Sequence, residues 1–228
     1  MAARKSLKID LSVGLDEEVL RPTERRRITL KNRIAQEAAR IFEEHGGEKG
    51  DGHDKTTAEE IAERSDISVR TFFRYYQSKT DAIYVDVPAA TSEHLKLTQF
   101  LLERAQPADA SLAASVILLS KALKSPAAAN RLIKAMSSKT FVARRSALRQ
   151  EWRQDLAKLI EPYLETQEDH ELRSLTLATN TLNVREIAME HWFRNGGSVS
   201  VIDCFNKALA VNHAINQLEL PRSLSLSI

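Results

Sequence analysis

The chain has 228 residues, and 33 Lys and Arg against 31 Asp and Glu leave a formal net charge of only +2. That balance excludes bulk charge as a sign of a polyanion-binding protein, so any such surface has to be local. Seven Gly, six Pro and little β-branched alternation argue for an all-α chain with one or two cores. The single cysteine, Cys204, cannot form an internal disulfide, which fits a reducing cytoplasm. No apolar run approaches the ~20 residues of a membrane span, and the first residues lack the apolar core of a secretory signal.

Residues 1–22 are mixed and aperiodic, with Gly14 and Pro22, and are expected to form a flexible arm. From Thr23 a helix is predicted to about His45, with Ile34, Ala38, Ile41 and Phe42 as its inner stripe. Its start holds a local basic cluster, Arg21, Arg25, Arg26, Arg27, Lys31 and Arg33 against Glu24 alone, while elsewhere in the first third acids balance bases. Cations in a first turn oppose the helix dipole, a small cost that is offset when phosphates approach; the alternative is a solvated charge run. Residues 46–55, GGEKGDGHDK, hold four glycines and five charges and read as a solvated loop. Asp51, His53 and Asp54 in it are too loosely held to pre-form a metal site.

Residues 56–79, TTAEEIAERSDISVRTFFRYYQSK, carry the strongest pattern. Thr57 and Glu60 form a capping box that opens a short helix. The pattern breaks at Ser65-Asp66, and Asp tolerates the left-handed backbone a tight turn needs. Ser68 can cap a second helix of about two turns, Val69 to Tyr76. Val69, Phe72, Phe73 and Tyr76 make its apolar stripe, with Arg70 and Arg74 on one flank and Thr71 and Tyr75 on the other. A helix this short holds one pose only when braced by neighbours. Its outer side then offers the hydrogen-bonding tips and cations that a major groove accepts. Ser78 and Asp81 form a third cap, with Lys79 in the first turn, where a cation makes sense beside a phosphate.

This is helix-turn-helix grammar, and the residues resemble the tetracycline-repressor (TetR) family of bacterial regulators. The likeness is carried by Ala38-Ala39 with Ile41-Phe42, Thr56-Thr57, Glu60-Ile61-Ala62, Ile67-Ser68, Thr71 to Tyr76 and Ser78-Lys79, and covers about residues 28–87. It implies DNA contacts from Arg70, Thr71 and Tyr75, joined by Ser68 and Val69. It also implies phosphate contacts from Thr56, Thr57 and Lys79, with Arg25 and Arg26 beside them. Asp66 stands where the family usually has Gly. Phe73 stands where it usually has a phosphate-touching Tyr, and either packs inward or meets a thymine methyl. The family also crosses residues 46–55 in a shorter loop, which makes this stretch an insertion.

The helix from Lys79 is expected to run through Ile83 and Val87 until Pro88 kinks or ends it. The domains read as an arm at 1–22, a helix-turn-helix domain at 23–87 and a helical domain at 88–228. In the last, helices are expected at 89–105, at 110–124 (apolar nearly all round, hence central), after Pro126, at 141–165, at 169–195 and at 198–218, with Gly196-Gly197 before Ser198 as a cap. Residues 219–228 read as a frayed tail. The resemblance implies a homodimer through the last two helices, a palindromic double-stranded DNA operator and a small effector. The Ala/Leu-rich composition leans toward an apolar or amphipathic one. Repression is the family default, and activation stays open. No catalytic constellation, cofactor motif or metal spacing stands out among the six histidines. Glu186, Glu190 and His191 read as a polar helix face. A helical protein-interaction module without DNA binding is the alternative from another class.

Overall fold

A computed structural model describes residues 22–164 and 168–215; the N-terminal arm with Arg21, and the C-terminal tail, lie outside these. The described residues are helical, with no strand among them. They fall into two compact units, one taking the chain as far as Glu93 together with Lys134–Arg149, the other taking His94–Ile133 together with the chain from Gln150.

The first unit begins with α1 (Pro22–Glu44), whose buried residues are the expected Ile34, Ala38, Ile41 and Phe42. The glycine-rich stretch that follows is built rather than loose. It forms a 3-10 turn, Gly47–Lys49, and the single turn α2 (Gly52–Lys55). Gly52 shows why glycine stands there: a Cβ on it would lie 2.6 Å from the Gly47 carbonyl oxygen and 2.7 Å from that of Phe42. Tyr84 O–H donates to Glu48 (2.6 Å), and His53 Nε2 lies 2.9 Å from Thr80 Oγ1, so the segment is anchored by side chains far along the chain.

The helix-turn-helix pair is α3 (Ala58–Arg64) and α4 (Val69–Tyr75), followed by α5 (Lys79–Ile83). Ser78 caps α5, as the Ser78-x-x-Asp81 spacing predicts. The Asp81 amide donates to Ser78 Oγ (3.2 Å) and Ser78 O–H returns a bond to the Asp81 carboxylate (2.7 Å). Asp81 has a fully buried side chain and also accepts from Arg144 at 3.0 Å. The helix does not continue to Pro88. It stops at Ile83, and α6 (Val87–Leu102) starts anew with Pro88 in its first turn, where the missing N–H costs nothing. Asp86 supplies the cap by accepting from the Ala89 amide at 2.9 Å. The aromatic centre of this unit is Tyr84 with Phe42 edge-to-face at 5.4 Å and Phe141 tilted against it at 5.8 Å between ring centroids.

In the second unit α7 (Pro107–Ala122) is buried on most of its length, as its all-round apolar character requires. After it come α8 (Pro126–Ser137) and α9 (Lys139–Ile160), and the division between the units cuts α9 after Arg149. Pro162 sits in a 3-10 turn, Glu161–Leu164, that closes α9. Two long helices follow, α10 (His170–Arg194) and α11 (Val201–Ile215). Gly196 and Gly197 have φ of +61° and +72° and accept the left-handed end of α10. Ser200, not Ser198, caps α11: its hydroxyl accepts from the Asp203 amide, while Ser198 O–H turns back to the Asn195 carbonyl. Trp152, Leu156, Ile160, Leu164, Ala178 and Leu182 form one apolar cluster.

A polar seam runs beside that cluster. His94 is 1% exposed. Its Nδ1 accepts from the Trp152 indole N–H at 3.3 Å, so its proton sits on Nε2 and faces Ser115 Oγ at 2.9 Å and the Ser111 carbonyl at 3.2 Å. Burial first, and the Arg185 charge second, lower the His94 pKa to about 4. No single described helix is long and apolar enough to cross a membrane.

Candidate nucleic-acid interface

The turn before α4 is a Schellman motif with Asp in place of the usual Gly. Ile67 N–H donates to the Ala62 carbonyl and Asp66 N–H to that of Glu63, both near 3 Å, with Asp66 at φ +51°. Ser68 then caps α4 by accepting from the Thr71 amide at 3.1 Å. Phe72 is completely buried and Tyr76 nearly so. The Tyr76 hydroxyl donates to the Lys31 carbonyl (3.0 Å), and the Arg33 guanidinium donates to the Ser65 carbonyl (2.7 Å). Two residues of the basic cluster therefore brace the motif: Arg33 holds the turn, and Lys31 pairs with Asp86 at 2.6 Å while lying over the Tyr76 ring.

Two turns of helix, pinned on one side, leave Ser68, Arg70, Phe73 and Arg74 exposed and Val69, Thr71 and Tyr75 half-buried. Phe73 is 53% exposed and does not join the inward stripe. The core receives Phe72 and Tyr76, one turn apart, and the neighbouring position swings outward, its ring edge-on to Phe72 at 5.2 Å. Arg70 has no ion-pair partner among the described residues.

Two expected phosphate contacts are placed elsewhere. Thr56 is fully buried, and its hydroxyl donates to the Gly52 carbonyl at 2.6 Å, so it cannot face a duplex. Lys79 turns its ammonium inward to the carbonyls of His53 (2.6 Å) and Thr56 (2.9 Å), with Asp54 at 3.5 Å. A cation on the last carbonyls of a helical turn explains this lysine without any phosphate. Thr57 is exposed and accepts from the Glu60 amide at 3.1 Å. The box is only half made, because Glu60 turns its carboxylate to Arg64 and His45. Arg25 and Arg26 are exposed on α1.

A cleft on this side joins residues far apart in the sequence. Thr23, Arg26, Arg27 and Leu30 of α1 and Arg74 and Tyr75 of α4 line an open cleft of about 440 Å³. Arg74 lies over the Tyr75 ring at 5.5 Å, and Arg27 is 3.8 Å from Glu24. The signal was present: positions 23, 26, 27 and 30 fall at the i, i+3, i+4, i+7 spacing of one helix face.

Residues 34–81 match the family model described as bacterial regulatory proteins, tetR family. No curated protein matches the chain. A TetR-family regulator from Streptomyces coelicolor is similar in structure at a TM-score of 0.53 and 17% identity, over 86% of this chain and 98% of that one. Thermus thermophilus FadR, a TetR-family transcriptional repressor in complex with lauroyl-CoA, aligns with a TM-score of 0.48 at 17% identity, over 84% and 97%. A TetR-family protein from Mesorhizobium loti aligns with a TM-score of 0.45 at 14% identity, over 83% and 96%. The matched head and its helix-turn-helix fold define a DNA-binding regulator. Residues 34–81 are thus a TetR-type helix-turn-helix head.

Proposed function

We propose that the protein regulates transcription as a homodimer that places two α4 helices in successive major grooves of a palindromic operator, about 34–36 Å apart. The observation that carries this reading is the outward side of α4, where Ser68, Arg70 and Arg74 are exposed on a helix held by the buried Phe72 and Tyr76. Arg70 is the base reader, because a guanidinium fork suits the two acceptors of guanine. Thr71, Tyr75, Val69 and Ser68 shape its surroundings, Phe73 offers an apolar tip to a thymine methyl, and Thr57 and Arg25 lie beside the backbone. Apolar side chains left outside on α10 and α11, such as Ile187 (55% exposed) and Val211 (60%), support a partner on those helices.

Within the second unit, Leu164, Leu172, Leu177, Pro107 and Arg173 line an open cleft of about 480 Å³, a volume in the range of small-molecule sites. It supports an apolar or amphipathic effector. Such an effector releases DNA only by binding one spacing of the heads better than the other. Repression, the family default, would follow from occupying the operator until the effector arrives. Selection of bound sites from random duplex DNA tests the reading: it predicts a palindrome with half-sites one helical turn apart, and recovery of no common site overturns it.

A further inference from the structure

We infer that this protein seats a DNA-backbone phosphodiester in the cleft between α1 and α4, held by Arg26, Arg27 and Arg74, in place of the lysine at the start of α5. The inference rests on the DNA-binding reading above. Lys79 is committed to backbone carbonyls, with two of its contacts at 2.6 and 2.9 Å, so it has little left for an outside anion. The only other phosphate contact expected from that side with a buried position, Thr56, faces inward. Across the motif, three guanidiniums gather around one open cleft with a single carboxylate, Glu24, beside Arg27. Like charges gathered this way repel one another, and an anion among them reverses the sign of the interaction. Guanidinium forks match phosphate oxygens in pairs. The Thr23 and Tyr75 hydroxyls on the same lining add neutral donors, and Thr23 lies in the first turn of a 23-residue helix whose dipole also favours an anion.

The occupant is a backbone phosphate rather than a free one because of where the cleft lies. Arg74 is one helical turn beyond Arg70 on α4. When Arg70 reaches a base edge, Arg74 and Tyr75 come to the groove's rim, where the phosphates run. Stacking on Tyr75 keeps Arg74 extended along that rim. The seat carries no sequence information; it fixes the register in which Arg70 reads.

The test is a salt titration of the full chain on a random-sequence duplex, followed by fluorescence anisotropy, with circular dichroism confirming each fold. Arg26→Gln, Arg27→Gln and Arg74→Gln together should lower the slope of log affinity against log salt by about one, the share of a single phosphate, and weaken binding at least tenfold. Replacing the same three by Lys should restore most of the slope, and Arg74→Gln alone should give a measurable part of the triple variant's decrease. An unchanged slope in the triple Gln variant, or in Arg74→Gln alone should the triple not fold, overturns the inference. So does a slope lowered by Lys79→Met in a folded chain but not by the arginine changes. If the unaltered protein shows no salt-dependent affinity at all, it is the DNA-binding reading that fails. If inorganic phosphate at constant ionic strength competes only through the cleft arginines, the seat takes free phosphate and the assignment to the duplex is wrong.

Discussion

Arg70 and Lys79 are both cations that the sequence sets near a nucleic acid, and the fold treats them in opposite ways. Arg70 lies on the exposed side of α4 with no ion-pair partner among the described residues. Lys79 starts α5 and turns back onto the carbonyls of α2, a segment more than twenty positions earlier in the chain. The difference teaches that a basic residue in a recognised motif has two possible employers, the ligand and the fold. The neighbouring carbonyls decide, because a buried carbonyl without a donor costs about 1–3 kcal/mol. The same division separates Arg33, which holds the turn at Ser65, from Arg26, which lines the α1–α4 cleft.

Substitutions on the inward side should therefore change stability, and those on the outward side should change binding. The largest effect is expected at Asp81, whose buried carboxylate is shared by Ser78 and Arg144. Asp81→Ala should cost about 3 kcal/mol in chemical denaturation, since it strands the Arg144 guanidinium. Lys79→Ala should cost about 2 kcal/mol by the same measurement, from the carbonyls it leaves without a donor. Its salt slope on DNA should not change once the folded fraction is corrected for; a slope lower by one would erase the contrast with Arg70.

The second unit offers a comparison through pH. His94 has a folded pKa near 4, below its unfolded value, so the unfolded chain takes up the proton first as pH falls. Its contribution to stability is present above the unfolded value near 6.5 and is lost progressively down to about 4. Between pH 7 and pH 5 that loss is about 2 kcal/mol. His94→Gln should flatten the stability–pH curve by that amount relative to the unaltered chain, and an unchanged curve would show that the imidazole is not held neutral. The smallest effect on stability is expected at Arg70→Ala, within about 0.5 kcal/mol, as for an exposed side chain.

The sequence made the head legible where local chemistry decides: the inner stripe of α1, the three caps at Thr57, Ser68 and Ser78, and the left-handed Asp66 all follow from short-range rules. It was silent where distant segments meet. The glycines of residues 46–55 suggest freedom, whereas Gly52 is there to let backbone approach backbone. Phe73 and Phe72 are equally aromatic, and only the packing of α4 against its neighbours, α3 above all, settles which ring is buried. Lys79 and Thr56 were assigned by resemblance to a surface that the fold had already filled from within. The second unit was readable as a run of helices with roughly correct ends, yet the His94 seam joins α6, α7 and α9 and leaves no periodic trace.

The central claim is that the outward side of α4 reads base sequence, with Arg70 as the reader. Site selection from random duplex DNA, run in parallel on the unaltered protein and on Arg70→Ala, addresses it most directly. The account predicts a palindrome for the first, and for the second the same palindrome with preference lost at one symmetric pair of positions, a change worth about 1–3 kcal/mol per half-site. Identical preferences from the two proteins would contradict it.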